Sequence, residues 1–341
     1  MSIKVGNTPM IKIKYRYNGK ESYIYTKLES YNISGSIKDR VAYYMLNKAY
    51  EEGKLKKGME IVEATSGNTG ISLAAIGRAM GNPAHIFMPD WVSTERLNLM
   101  KMYGAKVTLV SREEGGFKKA ISLAEEYAKE NKAFLANQFS NKYNILAHYE
   151  TTAKEIIDTL GHKIGGFVSG VGTGGTLIGT AKRLEEFDKS IKIYAMEPDK
   201  MPMLSQNKII ASHKIEGIGD DFIPDIVDKT LIDEIITVDD DDSINMSRKI
   251  ALELGIGVGI SSGANMLASI IAKENNSKAI VTVFADDNKK YISTDLSKQV
   301  DKNSRFISNK IELLDYEFLN IWNLVFTIND ISWIDIDSFC N

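Results

Sequence analysis

Between residues 35 and 300 the hydrophobic pattern switches repeatedly between two periods, and this alternation restricts the fold more than any other feature. Apolar positions three and four apart mark helices. Val41, Tyr44, Met45 and Ala49 form one such stripe over residues 38–52, and Phe117, Ala120, Ile121, Ala124 and Ala128 form another over 117–131. The runs IVEA (61–64), AHIFM (84–88), AKVTLV (105–110), GGFVS (165–169), IKIYAM (191–196) and AIVTVF (279–284) are short and almost continuously apolar. Strands buried on both faces look like this. Strands alternating with helices predict an α/β fold of twisted, mostly parallel sheets covered by helices. Two such series, roughly 35–150 and 160–300, predict two units with a cleft between them.

Residues 200–242, with isolated Gly, Pro and Asp, form the main irregular stretch. The run Asp239–Asp242 precedes the helical pattern SINMSRKIALEL and reads as helix-start chemistry rather than a cation site. From about residue 303 a tail with Trp322, Phe326 and Trp333 is too short for another ordinary domain. It is expected to pack on the body or on a partner subunit.

A formal net charge of -3 gives no reason to expect nucleic acid or an anionic membrane as partner. The only cysteine, Cys340, forbids an intrachain disulfide and fits a reducing compartment. MSIKVGNTPM has no apolar leader region, and no run approaches the ~20 apolar residues of a membrane span. A cytoplasmic enzyme is the expectation.

Three segments carry chemistry. In SGSIKDR (34–40), Ser36 and Asp39 fit a capping pattern, which puts Lys38 in the first helical turn. There the helix dipole and desolvation favour a neutral, nucleophilic amine; the alternative reading is a surface lysine balanced by Asp39. In EATSGNTGISLA (63–74) a strand ends and Thr65, Ser66, Gly67, Asn68 and Thr69 turn into a helix. The turn is either an anion cradle or an ordinary capped connection. In SGVGTGGTLIG (169–179), Gly170, Gly172 and Gly175 fit G-x-G-x-x-G, and Glu197 stands where a ribose-binding acid would. Taken alone, this loop suits a dinucleotide or a single phosphate equally. The histidines His85, His148, His162 and His213 have no metal spacing.

The order of segments goes further. GNTPM, KLESYNISGSIKDR, EATSGNTGISLA, GVGTGGT, EGIGDDFIP, GISSGAN and YISTDL follow one another between about Gly6 and Leu296. Together they resemble the cysteine synthase and cystathionine β-synthase family, the fold type II (tryptophan synthase β-like) enzymes of pyridoxal 5'-phosphate. The resemblance implies a smaller unit over 35–148 and a larger, phosphate-binding unit over 1–34 and 149–302, with the tail at 303–341 and the cofactor in the cleft. It implies that Lys38 holds the cofactor as an internal aldimine and moves the substrate α-proton, and that Asn68 bonds the ring hydroxyl. Thr65, Ser66, Gly67, Thr69 and Gln138 would cradle the substrate carboxylate. Gly172, Thr173, Gly174, Gly175 and Thr176 would hold the phosphate. The implied reaction eliminates the β-substituent of cysteine, serine or O-acetylserine to a bound α-aminoacrylate, which sulfide, water or a thiol then attacks. A homodimer is implied as well.

Two positions depart from the family. Asp287, four residues before Tyr291, stands where a serine usually meets the pyridine nitrogen, and either faces the ring or turns to solvent. Asp220 and Asp221 replace the small residues of strict O-acetylserine sulfhydrylases. They act as a general base for water or a thiol, or are solvated loop acids. A nicotinamide oxidoreductase and a non-catalytic binding subunit are the alternatives of other classes.

Overall fold

The computed structural model describes residues 3–298 and 303–319. Two sheets organise them. The smaller contains β3 (Ile61–Ala64), β4 (Ala84–Pro89), β5 (Lys106–Val110) and β6 (Phe134–Leu135), all parallel, in the order β5-β4-β3-β6. The larger contains β1 (Met10–Tyr17), β2 (Lys20–Leu28), β7 (Ile164–Gly170), β8 (Lys192–Pro198), β9 (Glu234–Val238), β10 (Ala279–Phe284) and β11 (Ile311–Phe318). Its order is β11-β1-β2-β10-β7-β8-β9, with antiparallel pairing only where β1 meets β2 and β11.

The antiparallel hairpin β1–β2 is not among the strands expected from the apolar runs. Its strands alternate instead, and the turn between them is Asn18-Gly19, both at positive φ (50° and 75°), joining the paired residues Tyr17 and Lys20. Such a two-residue connection matches the twist of the flanking strands, and Asn-Gly tolerates it best. The first part of the tail is also a strand: β11 pairs with β1 at the sheet edge. Trp322, Phe326, Trp333 and Cys340 lie outside the described residues.

Helices cover both faces of each sheet. They are α1 (Lys38–Glu51), α2 (Asn68–Met80), α3 (Thr94–Met102), α4 (Gly116–Glu130) and α5 (Lys142–Ala147), then α6 (Ala153–Leu160), α7 (Gly175–Phe187), α8 (Met203–Gln206), α9 (Asp240–Leu254) and α10 (Ile260–Glu274). Met45, Ile61, Ile71 and Ile86 belong to one core layer of the small sheet, and Val62, Phe87, Ala120 and Ala124 to the other. On the large sheet, α9 and α10 close one layer through Ile250 and Leu267, and α6 and α7 close the opposite one through Ile156 and Leu177. The acidic run does start a helix: Asp239 caps α9 by accepting the Asp242 N–H at 2.8 Å.

Helix α1, which begins at Lys38, is fixed from behind by buried charges. Arg40 donates to Glu29 (2.7 Å) and Glu155 (2.6 Å), and Lys27 pairs with Glu155 at 2.8 Å. Although burial disfavours its ionised form, the Arg40 guanidinium and Lys27 hold the Glu29 carboxyl down to about 2.

Candidate active site

Lys38 is the first residue of α1, and its side chain lines a cleft between the ends of the two sheets. Burial lowers its amine below the ordinary lysine value, against the opposing pull of Asp286 and Asp220. Asp39 does not balance it. The Asp39 carboxylate turns the other way and accepts the Ser34 N–H at 2.7 Å.

Opposite lies the 65–69 turn. Thr65, Ser66, Gly67, Asn68 and Thr69 all line the cleft, with α2 starting at Asn68. Gly67 is required by close approach, since a Cβ there would stand 2.5 Å from Cδ of Arg96. Gln138 completes this wall: its side-chain carbonyl accepts from the Thr69 hydroxyl at 2.6 Å, and its amide donates to the Ala64 carbonyl at 3.0 Å. Beneath, Glu63 accepts the N–H groups of Gln138 (3.0 Å) and Ala64 (2.8 Å), and burial pushes its carboxyl up to about 8.

The glycine loop forms a third wall at the start of α7. Gly172, Thr173, Gly174 and Thr176 line the cleft. Gly174 has φ of 87°, and a Cβ on Gly172 would sit 2.4 Å from the Gly217 carbonyl oxygen. Gly175 serves from beneath, packed so closely on Asn144 that its Cβ would fall 1.9 Å from Oδ1. Asn144 donates both to Thr173 (2.9 Å) and to the Gln138 carbonyl (2.9 Å), so one amide ties two walls together. His148 Nε2 meets the Thr176 hydroxyl at 3.2 Å, and burial lowers its pKa well below the ordinary histidine value, keeping it neutral. Asn144 lies in none of the sequence motifs, and His148, a histidine without metal spacing, is satisfied by the Thr152 and Thr176 hydroxyls.

The two acids of EGIGDDFIP separate. Asp220 lines the cleft, and burial and the neighbouring Asp221 raise its carboxyl to about 6, partly offset by Lys38. Asp221 faces outward and pairs with Lys118 at 3.0 Å. Asp287 is not brought to the cleft. Its carboxylate caps the 3-10 turn Asn288–Tyr291 by accepting the Lys289 N–H at 3.1 Å. The preceding residue, Asp286, points inward, accepting from Asn68 Nδ2 (2.7 Å) and the Tyr291 hydroxyl (2.8 Å), while its other oxygen is buried without a partner. Arg96 joins this network, donating to Tyr291 at 2.7 Å and pairing with Glu216 of the EGIGDD segment.

Glu197 settles the local ambiguity of the glycine loop. Its carboxylate is buried and accepts the Leu204 and Ser205 N–H groups at 2.7 and 3.1 Å, capping α8. The acid that a ribose would need is thus spent on a helix start.

The residues present fit pyridoxal phosphate. A desolvated amine faces the room for the ring, and the N-terminus of α7 with its crowded glycines offers backbone N–H groups to a phosphate. Among the described residues no helix is long and apolar enough to cross a membrane.

Comparison with known proteins agrees. The family model "Pyridoxal-phosphate dependent enzyme" matches residues 1–286. A probable cysteine synthase of Bacillus subtilis is 42% identical over 300 residues, covering 86% of this chain and 95% of that protein. The crystal structure of a hydrogen sulfide-producing enzyme from Fusobacterium nucleatum is 48% identical with a TM-score of 0.89, covering 93% and 97% of the two chains. A cysteine synthase structure from Entamoeba histolytica is 40% identical with a TM-score of 0.80, covering 89% and 92%. The chain belongs to the pyridoxal-phosphate dependent enzymes, on their cysteine synthase-like branch.

Proposed function

We propose that the protein exchanges the substituent at Cβ of cysteine or an activated serine, consuming cysteine with release of hydrogen sulfide and adding water or a thiol. The observation that carries this reading is the convergence of a desolvated Lys38, two anion cradles and Asp220 on one cleft. Strict O-acetylserine sulfhydrylation is the second reading. It draws on the relatives named cysteine synthase, and the position of Asp220 argues against it.

Lys38 is the amine that would hold the cofactor, and the amides of Gly172–Thr176 would bind its phosphate. Asn68, fixed between Asp286 and Lys290, has a second amide hydrogen for a ring hydroxyl. When bound, pyridoxal phosphate supplies the electron sink at Cα. Thr65, Ser66 and Thr69, backed by Gln138, hold the substrate carboxylate and aim the Cα–H bond at Lys38, which takes the proton as free amine. Asp220 then takes the proton of the incoming nucleophile. Sulfide, largely ionised already, needs no such base; water and thiols do. Residues 35–148 form one unit and 1–34 with 149–302 the other, with the reaction in the cleft between them. A homodimer in the cytoplasm is proposed on the family relationship and the single cysteine.

Borohydride reduction followed by peptide mass spectrometry tests the assignment of Lys38. A pyridoxyl adduct on Lys38, absent from Lys38→Ala, is expected; an adduct on another lysine would refute it.

A further inference from the structure

Resting on the assignment of the phosphate to Gly172–Thr176, we infer that Asn144 and His148 are positioning residues that fix the direction of the Thr173 and Thr176 hydroxyl protons, so that both point into the cleft toward the phosphate. Asn144 is on α5 and His148 caps that helix four residues on, where the chain packs against the start of α7. The helix widens at this point. Over His148–Thr152 it makes a single π turn, in which the Ala153 N–H bonds the His148 carbonyl. Asn144 and His148 are fully buried, and a Cβ on Gly179 of α7 would stand 2.9 Å from Cβ of His148.

The Asn144 amide can face only one way. The Gln138 carbonyl accepts and cannot donate, so the nitrogen of Asn144 faces it at 2.9 Å, and the same nitrogen donates to Thr173 Oγ1 at 2.9 Å. Thr173 Oγ1 also accepts the Gly175 N–H at 3.4 Å. With both lone pairs engaged, its proton has no direction left but the cleft, which Thr173 lines. The histidine follows the same logic. Its Nδ1 lies 3.0 Å from the hydroxyl of Thr152, a fully buried residue whose hydroxyl has no other partner among the described residues. A buried hydroxyl keeps its proton bonded, so Thr152 donates to Nδ1. Burial keeps the imidazole neutral, and its one ring proton is then on Nε2, donating to Thr176 Oγ1 at 3.2 Å. The Thr176 proton is thereby turned to the cleft as well. The loop then presents only donors, which suits the oxygens of a phosphate and offers far less to a neutral hydroxyl in its place.

Full-length protein stripped of cofactor and titrated with pyridoxal phosphate and with pyridoxal reads the preference for the phosphate as the ratio of the two affinities. His148→Phe fills the space of the ring without its nitrogens and is expected to lower that ratio about tenfold. His148→Gln keeps an N–H donor and is expected to restore most of it. In a Thr176→Val background His148→Phe should change the ratio no further, because the hydroxyl it directs is gone. In the nitrogen-15 spectrum the His148 resonances, identified by their loss in His148→Gln, should show the proton on Nε2. A ratio unchanged in His148→Phe, a loss that adds to that of Thr176→Val, or a proton on Nδ1 overturns the inference and leaves the phosphate loop standing. So does equal weakening of both ligands, the sign of a packing defect alone. Wild-type protein that binds pyridoxal phosphate no more tightly than pyridoxal overturns the assignment of the loop as well.

Discussion

Replacing Asp220 with Asn keeps the shape of the side chain and removes its basicity. In the wild-type protein, burial and Asp221 raise this carboxyl to about 6. At pH 7 roughly ten carboxylates are then ionised for each one protonated, and at pH 5 the ratio is inverted. Addition of water or a thiol is therefore expected to slow about tenfold between pH 7 and pH 5. A positioned general base accelerates such a step by about 10²–10⁴, or ~3–5 kcal/mol of barrier, so the Asn variant should lose that much in addition at neutral pH. It should also lose the acid limb near pH 6. Departure of the leaving group depends on Lys38 and should change only a few-fold. Rapid mixing with cysteine separates the two half-reactions: the variant gives one prompt sulfide per site, then turns over slowly. A prompt phase reduced as much as steady turnover, or an acid limb near pH 6 that survives in the variant, would refute the base role.

Two further substitutions test the scaffold. Gly175→Ala drives a methyl into the Asn144 amide and should weaken cofactor binding, with overpacking of about 1–3 kcal/mol read as a lower melting temperature; unchanged cofactor affinity would contradict the account. Arg40→Ala leaves Glu29 and Glu155 buried without their main partner and should cost about 3–5 kcal/mol in urea unfolding. Glu29 goes from 4.5 to about 2 on folding. At ~1.36 kcal/mol per unit this contributes about 3 kcal/mol, present above pH 4.5 and lost as pH falls through 2. An acid-unfolding midpoint that Arg40→Ala leaves in place would contradict that assignment.

What the sequence made legible follows from range. IVEA and AIVTVF are strands with the bounds expected, because burial on both faces writes a continuous apolar run. The β1–β2 hairpin escaped since its alternation is weaker, although Asn18-Gly19 announced the turn. Within the site, residues in contiguous motifs reached the cleft together. The direction of a single side chain is not a property of a motif, so counting back from Tyr291 led to Asp287 while the backbone turns Asp286 inward. The same limit hid the division of labour between Asp220 and Asp221, and the roles of Asn144, His148 and Arg96. These residues contact segments far away in the chain, and only the folded structure brings them there.

Product analysis with cysteine as the only substrate tests the central claim most directly. Sulfide released together with an equal amount of serine or lanthionine is the result predicted for a cleft in which Asp220 activates water or a thiol. No sulfide from cysteine, with rapid turnover of O-acetylserine and sulfide, would contradict it and identify a strict sulfhydrylase.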